Sequence, residues 1–473
     1  MKNTLFLLAC LFFSAASLGT ASDTITLDEY LNLLQENHPF FTKEDLSVDI
    51  EKWRSQSSLG ERDWSLSVTP AYQYAGEATA SDFGGQTEAQ SAQIELDLNK
   101  SLWSTGGRFG FSVSSGYLKY DPLFGPPEVY RSGISFSYTQ PLLQNIGGRL
   151  DRLGYDVSLF GVDLAAVQSM ENQEGFLLSK ALEFMDWVSA AESVRIAEER
   201  LRLAREQLDQ VNRRFRSNLV DRVDVLRAED AVRIAEQSLL QLQSLYRAQQ
   251  AKLAVSSYSD EMYEMTPDYD IYALRDLPDR KSAMKTLSSR SRLLHTFSIM
   301  EDRLLRNLAG LREQKRARLD LNVEAGLFGQ DPQFGSSLEI TEPDASVSLV
   351  YSQILGNRTV KADIERVGVE IEQMQDEMAS AENDMQGQLA ALLIQLDELE
   401  NILALNRAQI GSAEEKTEEE RRLYSQGRSE LTFVIQSEDN EQNARLTYAQ
   451  NAVLYHTLIL QYRALMDELL AAP

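Results

Sequence analysis

Leu177, Ala181, Phe184, Val188 and Ala191 follow one another at steps of four and three, after which Val194, Leu201, Leu208 and Phe215 recur every seventh residue. Such spacing keeps an apolar seam on one side of an α-helix and demands a partner helix along its whole length. The run from Leu159 to Arg216 has no strong breaker; at a helical rise it reaches on the order of 90 Å, about three times the core of a bilayer. A compact domain has no room for it. Val225, Ala228, Val232, Ala235, Leu239, Leu242 and Tyr246 step in the same way, as do Met385, Leu389, Leu392, Leu396, Leu399 and Leu403, and Leu458, Tyr462, Leu465 and Leu469. These are coiled-coil seams, and a filament or tether would account for them alone.

Six other stretches obey a different period. Trp64, Leu66, Val68, Tyr72 and Tyr74 alternate with Ser65, Ser67, Thr69 and Gln73, and Ile94, Leu96 and Leu98 alternate with Glu95, Asp97 and Asn99. Phe109, Phe111, Val113 and Tyr117 share one side of "FGFSVSSGY", and Ile134, Phe136 and Tyr138 share one side of "GISFSYTQ". Downstream, Leu319, Leu321, Val323 and Ala325 oppose Asp320, Asn322 and Glu324, and Val347, Leu349 and Tyr351 oppose Ser346, Ser348 and Ser352. A period of two marks strands with one greasy and one polar face. A soluble sandwich with one wet face would explain any single one. Together they are about 9–11 residues each, the length that crosses a bilayer at a tilt, and aromatic residues near their ends suit a membrane girdle. Bare edges cannot exist in lipid, so the sheet must close, and six strands are fewer than the roughly eight of the smallest barrels. Such a barrel has to be shared between copies of the chain.

The opening "MKNTLFLLACLFFSAASLGTAS" reads as a secretory signal peptide over residues 1–21, cut after Ala21. A cut there removes Cys10, leaving an exported chain without cysteine and therefore without disulfide or thiol chemistry; a lipoprotein signal at "LLAC" is the weaker alternative, since only about four apolar residues precede Cys10 against the roughly seven a signal core needs. Beyond it no apolar run approaches the roughly 18 residues of a membrane-spanning helix. A net charge of −26 argues against nucleic acid and against anionic lipid surfaces. His38, His295 and His456 are scattered, so no zinc site is expected, and His38-Pro39 reads as a helix stop. The glycine pairs of "STGGR" and "NIGGR" lack the pattern of a phosphate cradle and read as turns, while "EEKTEEERR" reads as a solvated helix face. No nucleophile, base and orienter assemble from the spacing. Neither an enzyme nor a cofactor is expected.

The chain also overlays on itself. An offset of 253 residues lays Leu66 over Leu319; 213 lays Tyr138 over Tyr351 and Gln140 over Gln353; 209 lays Asn218 over Gly427 and Glu229 over Glu438. Two repeats are expected after the signal, 22–270 and 271–473, each reading helix, strands, long helix, short break, helix. The breaks "RSNLVD" and "YSQGRS" lie where two heptad runs meet, and Asn and Gly are the residues that most readily turn a chain left-handed. Each break is expected to be a helical-hairpin tip.

With these parts in order, the chain resembles the outer-membrane efflux protein family, the TolC-type outer-membrane factors. The resemblance rests on "ITLDEYLNLLQENHP", on "SYTQPLLQNIGGR" at the strand-to-helix junction (Gln140, Pro141, Gly147, Gly148, with Gln353 as the second copy of Gln140), and on "NLVDRVDVLRAED" with its fainter copy "GRSELTFVIQSED". It covers essentially the whole mature chain, with Ile354 replacing the proline in the second copy. It implies a mainly α chain with a membrane β-barrel part: a homotrimer whose shared β-barrel, set in outer-membrane lipid, joins a long antiparallel coiled-coil helical barrel in the periplasm. It implies passive conduction, with a periplasmic adaptor (membrane fusion) protein and an inner-membrane transporter as partners. The family's adaptor contact falls here on Asn218, Leu219, Val220, Gly427, Arg428 and Ser429, and its tip aspartate, able to pair across helices, on Asp224. Where the best-known members carry an arginine and an aspartate ring, this chain has Ser429 and Phe433, which leaves Asp221, Arg222, Arg428 and Glu430 as the other charges able to close the aperture. Those members carry two strands per half, against four before residue 150 here, so a trimer would hold about 18 strands, or 12 if the hairpin from Ile94 to Tyr120 lies outside the barrel. The competing reading from another class is a soluble periplasmic coiled-coil tether or adaptor.

Overall fold

The computed structural model describes residues 24–75, 89–120 and 128–470; the signal peptide and Cys10 lie outside them. In chain order the helices are α1 (Leu27–Asn37), α2 (Pro39–Ser57), α3 (Leu153–Arg216), α4 (Arg222–Ser257), α5 (Arg280–Arg290), α6 (Arg292–Gln314), α7 (Phe334–Ser337), α8 (Arg358–Ser425) and α9 (Leu431–Leu465). The strands are β1 (Thr24–Ile25), β2 (Ser65–Ala75), β3 (Ala89–Leu102), β4 (Gly107–Tyr120), β5 (Glu128–Pro141), β6 (Thr266–Pro267), β7 (Arg318–Asp331) and β8 (Glu342–Ser352). The chain divides into two compact units, one of residues 24–42, 173–285 and 387–470, the other of residues 43–172 and 286–386. Each draws on both halves of the sequence, because α3 and α8 are divided between them. Among the described residues no helix is long and apolar enough to cross a membrane.

In the first unit α1 opens on a capping box: Glu29 N donates to Thr26 Oγ1 at 3.3 Å, and Thr26 N donates to Glu29 Oε2 at 2.9 Å. It stops at His38, and Pro39 then opens α2, where its missing N–H costs no helical bond. Along the middle of the hairpin α3 and α4 face each other as their spacing requires: Leu201 and Ala204 pack against Val232 and Ala235, with Leu208 and Leu239 at the margin, whereas Phe215, the last of the expected run, is exposed near the tip. Leu389, Leu396, Leu399 and Leu403 of α8 are buried as expected. In the last part of α9 the buried residues are Tyr455, His456, Ile459, Leu460 and Tyr462, joined past the helix end by Met466 and Leu469; of the expected seam Tyr462 and Leu469 are buried, whereas Leu458 and Leu465 are only half-buried. The chain before α5 packs there: His456 bonds Tyr269 Oη (3.0 Å) and the Ile271 carbonyl (3.1 Å), and the Arg275 amide donates to Tyr455 Oη (3.1 Å).

The second unit holds an antiparallel sheet in the order β2-β3-β4-β5-β7-β8. All six expected strands are present, at 11 to 14 residues rather than 9–11, because pairing extends past the alternating cores, as where β3 starts at Ala89. Register sorts the side chains by face. One row across the sheet reads Val68, Leu96, Val113, Ile134, Leu327, Pro343, and the next reads Leu66, Leu98, Phe111, Phe136, Ala325, Ala345. The row between them, on the opposite face, is Ser67, Asp97, Ser112, Ser135, Gly326, Asp344. The apolar face is open: Leu66 is 63% exposed, Val68 54% and Val347 73%. Beside the sheet lies a layer of helices. Asn172 of α3 bonds Glu44 of α2 (2.8 Å), Arg306 and Arg292 of α6 pair with Asp156 (2.8 Å) and Glu171 (2.6 Å) of α3, and Gln375 of α8 bonds Glu301 of α6 (2.7 Å).

Candidate functional site

The two expected tips lie together in the first unit and are built alike. After α3, Asn218 takes φ +54, its N–H donates to the Phe215 carbonyl (2.9 Å), and the Leu219 N–H donates to the Arg214 carbonyl (3.0 Å). After α8, Gly427 takes φ +72, its N–H donates to the Tyr424 carbonyl (3.0 Å), and the Arg428 N–H donates to the Leu423 carbonyl (2.9 Å). Each is a Schellman motif, which satisfies the last carbonyls of a helix by turning one residue left-handed. Three residues on, Asp221 and Glu430 sit at the N-caps of α4 and α9, their acid groups suited to the helix N-terminal dipole.

Beneath the tips a common core joins both hairpins: Val211, Val225, Ala228, Tyr424, Leu431 and Val434, with Val220 packed against it. A cleft of about 620 Å³ is lined by Asn218, Leu219, Val220, Asp221 and Asp224 from one tip and Gly427, Ser429 and Glu430 from the other. Eight of the predicted residues therefore share one site; Arg222 and Arg428 do not line it. Asp224 pairs with Arg227 on its own helix (3.3 Å), and Asp221, Arg222, Arg428 and Glu430 form no ion pair with one another within the chain. What fastens hairpin to hairpin is a set of side chains whose pairing the sequence pattern does not disclose, among them Arg421 from the stretch read as a solvated face. Arg214 Nη1 donates to the Tyr424 carbonyl (2.7 Å) and its guanidinium lies 4.5 Å from the Tyr424 ring centre. Burial pushes the Tyr424 phenol above its ordinary pKa, opposed by Arg214 and reinforced by Asp224. Higher up, buried Arg200 of α3 pairs with Glu438 (2.8 Å) and Asp439 (2.7 Å) of α9, and Arg421 of α8 pairs with the same Glu438 (2.9 Å).

The junction residues fall in the second unit. Tyr138 Oη donates to Gln140 Oε1 (2.5 Å), and Tyr351 Oη donates to Gln353 Oε1 (2.7 Å), the same bond at the ends of β5 and β8. Gln140 Nε2 also donates to the Thr105 carbonyl (3.0 Å) in the β3–β4 turn, as does the Gly147 N–H (3.1 Å). Gly147 and Gly148 both have positive φ, but only Gly148 is pressed against backbone: a Cβ there would lie 2.0 Å from the Trp103 carbonyl oxygen.

This architecture, an open-faced antiparallel sheet whose strands lead into long helical hairpins with matched tips, is the fold of the TolC-type outer-membrane factors. A membrane protein from Pseudomonas aeruginosa is similar at TM-score 0.68 and 11% identity, covering 93% of this chain and 91% of that one. The CmeC outer membrane channel of Campylobacter jejuni is similar at TM-score 0.64 and 11% identity (93% and 85% covered), and the MtrE outer membrane channel of Neisseria gonorrhoeae at 0.64 and 13% (94% and 89%). No family model and no curated protein sequence matches the chain.

Proposed function

We propose that the chain is the outer-membrane channel of a tripartite efflux or type I secretion system, an exit duct that conducts passively and catalyses nothing. The observation that carries this is the six-strand-wide apolar face left exposed by a sheet whose other face is polar. Monomeric soluble proteins rarely expose contiguous apolar patches beyond a few hundred Å². Hydrocarbon is the cover that fits, with the serine- and acid-lined face toward a water-filled lumen. Since bare strand edges are not tolerated in lipid, the sheet closes with two further copies into a homotrimeric barrel in the outer membrane, and the helical hairpins form the periplasmic tunnel. The near-equal hairpins, 64 and 36 residues for α3 and α4 against 68 and 35 for α8 and α9, support a duplicated chain with halves at 22–270 and 271–473. The tips are then the face offered to a periplasmic adaptor delivering substrate from an inner-membrane transporter, and Asp221, Arg222, Asp224 and Glu430 ring the aperture.

Cell fractionation followed by size determination of unheated, detergent-extracted protein tests this. An outer-membrane species about three times the chain mass is expected. A monomer or dimer released by salt alone would instead establish a soluble coiled-coil protein.

A further inference from the structure

Accepting the trimeric reading above, we propose that the β3–β4 hairpin is part of the membrane wall in every copy, so that the barrel closes with 18 strands, β8 of each copy pairing with β2 of the next. Three observations carry this. First, the hairpin is laddered on both sides: β3 pairs with β2 from Ser65↔Asn99 to Ala75↔Ala89, and β4 pairs with β5 from Arg108↔Thr139 to Lys119↔Glu128. A hairpin outside the wall would leave β2 to pair with β5 directly. Second, its turn is locked to the start of the helical layer. Thr105 accepts from Gln140 and Gly147, and Gly106 (φ +77) and Gly148 (φ +66) interlock so closely that a Cβ on either would lie 2.2 Å or 2.0 Å from a backbone oxygen of the other segment. Third, the open edges match. β2 and β8 are both 11 residues long, exposed along their length and opposite in direction, so one copy's β8 can continue the next copy's ladder with the apolar rows in line.

Width supplies the physical reason for two extra strands. In the second unit α2, α3, α6 and α8 lie side by side, and four helices at their usual spacing occupy about 32–40 Å of circumference. Strands about 4.8 Å apart and tilted by about 40° each take about 6.3 Å, so six fill about 38 Å and four only about 25 Å. Six strands thus span about the width of the helix layer they lead into. Since barrel diameter grows roughly in proportion to strand number, the lumen is about one and a half times as wide as with 12 strands.

The experiment is electron cryomicroscopy of the full-length protein from outer membranes, unheated in detergent, counting strands in cross-section. In parallel, single cysteines along β8 are paired with a cysteine at Val68 of β2 in the otherwise cysteine-free mature chain, and oxidised. Eighteen strands with three-fold symmetry, and covalent species ending at three chains, are expected. A three-fold particle with 12 strands and β2 against β5 overturns this inference and leaves the trimeric channel standing. A particle without three-fold symmetry overturns both.

Discussion

The two helical tips share one backbone and carry different chemistry. Asn218 and Gly427 take the same left-handed turn, sit in the same pair of backbone hydrogen bonds and precede an acidic N-cap by three residues. Yet the first tip presents Leu219, 66% exposed, followed one helical turn apart by exposed Val223 and Leu226. The second presents Arg428 and Ser429 at its turn, with Phe433 the large exposed apolar side chain in the first turn of α9, and Ser429 Oγ donates to Glu420 Oε2 of its own hairpin (2.7 Å). Reversal of the chain is the common requirement, and it fixes the αL position. The remaining tip residues are released from that requirement, so their divergence reports on what each tip meets.

The comparison assumes that the hairpins are fastened together, and Glu438 is the place to break it. Glu438→Ala leaves Arg200, 7% exposed, without its buried partner. Removing one member of a buried pair costs about 3–5 kcal/mol, to be read as a lowered denaturation midpoint of the purified protein. Arg200→Met combined with Glu438→Leu should recover most of it, since an apolar pair of similar size needs no charge compensation. A Glu438→Ala protein of unchanged stability would mean that the hairpins hold without this network.

Likeness of the tips is tested next. A Cβ at Gly427 meets nothing within 4 Å, so Gly427→Val costs only backbone strain, about 1–2 kcal/mol for a left-handed residue. Asn218→Val should cost a similar amount, while Gly427→Asn, adding the residue that the first tip already uses, should cost less than half as much. If only one tip penalises valine, the shared geometry is broken in the assembled protein. Smaller still is Tyr424→Phe. The Tyr424 hydroxyl is buried with no hydrogen-bond partner in the chain, so its removal should be neutral or stabilise by up to about 1 kcal/mol. A marked loss would mean that the hydroxyl finds a partner in a neighbouring copy.

Much of this is legible in the sequence. Six strands and the paired hairpins follow from two periodicities that context does not erase, and both tips from residues that tolerate positive φ. The fastening network was hidden for a physical reason. Ala197, Arg200, Ala204, Gln207 and Val211 step three, four, three, four, and all five are buried. That is a second seam on α3, with small residues beside long polar ones, but its charge reads as solvated until a partner 238 residues away is known. The burial of Tyr455, Ile459 and Leu460 in place of the expected Leu458 and Leu465 was hidden likewise, because the segment that covers them through His456 and Tyr455 is irregular and has no period. The interleaving of the two compact units was illegible too, since a repeat in sequence does not say which parts of a long helix pack together.

The smallest effect on stability is expected where the tips differ most. Leu219→Ser, Val223→Ser and Leu226→Ser exchange exposed side chains, and such substitutions usually stay within about 0.5 kcal/mol each. If the apolar stripe is where an adaptor docks, the triple variant should assemble and melt like the parent yet lose co-purification with the adaptor. Arg428→Ala with Ser429→Ala should bind more nearly as the parent does, because rim charges and hydroxyls contribute less than a desolvated apolar anchor. The reverse ranking would assign docking to the second tip, and the exposed Leu219 stripe would then have to be covered within the proposed trimer.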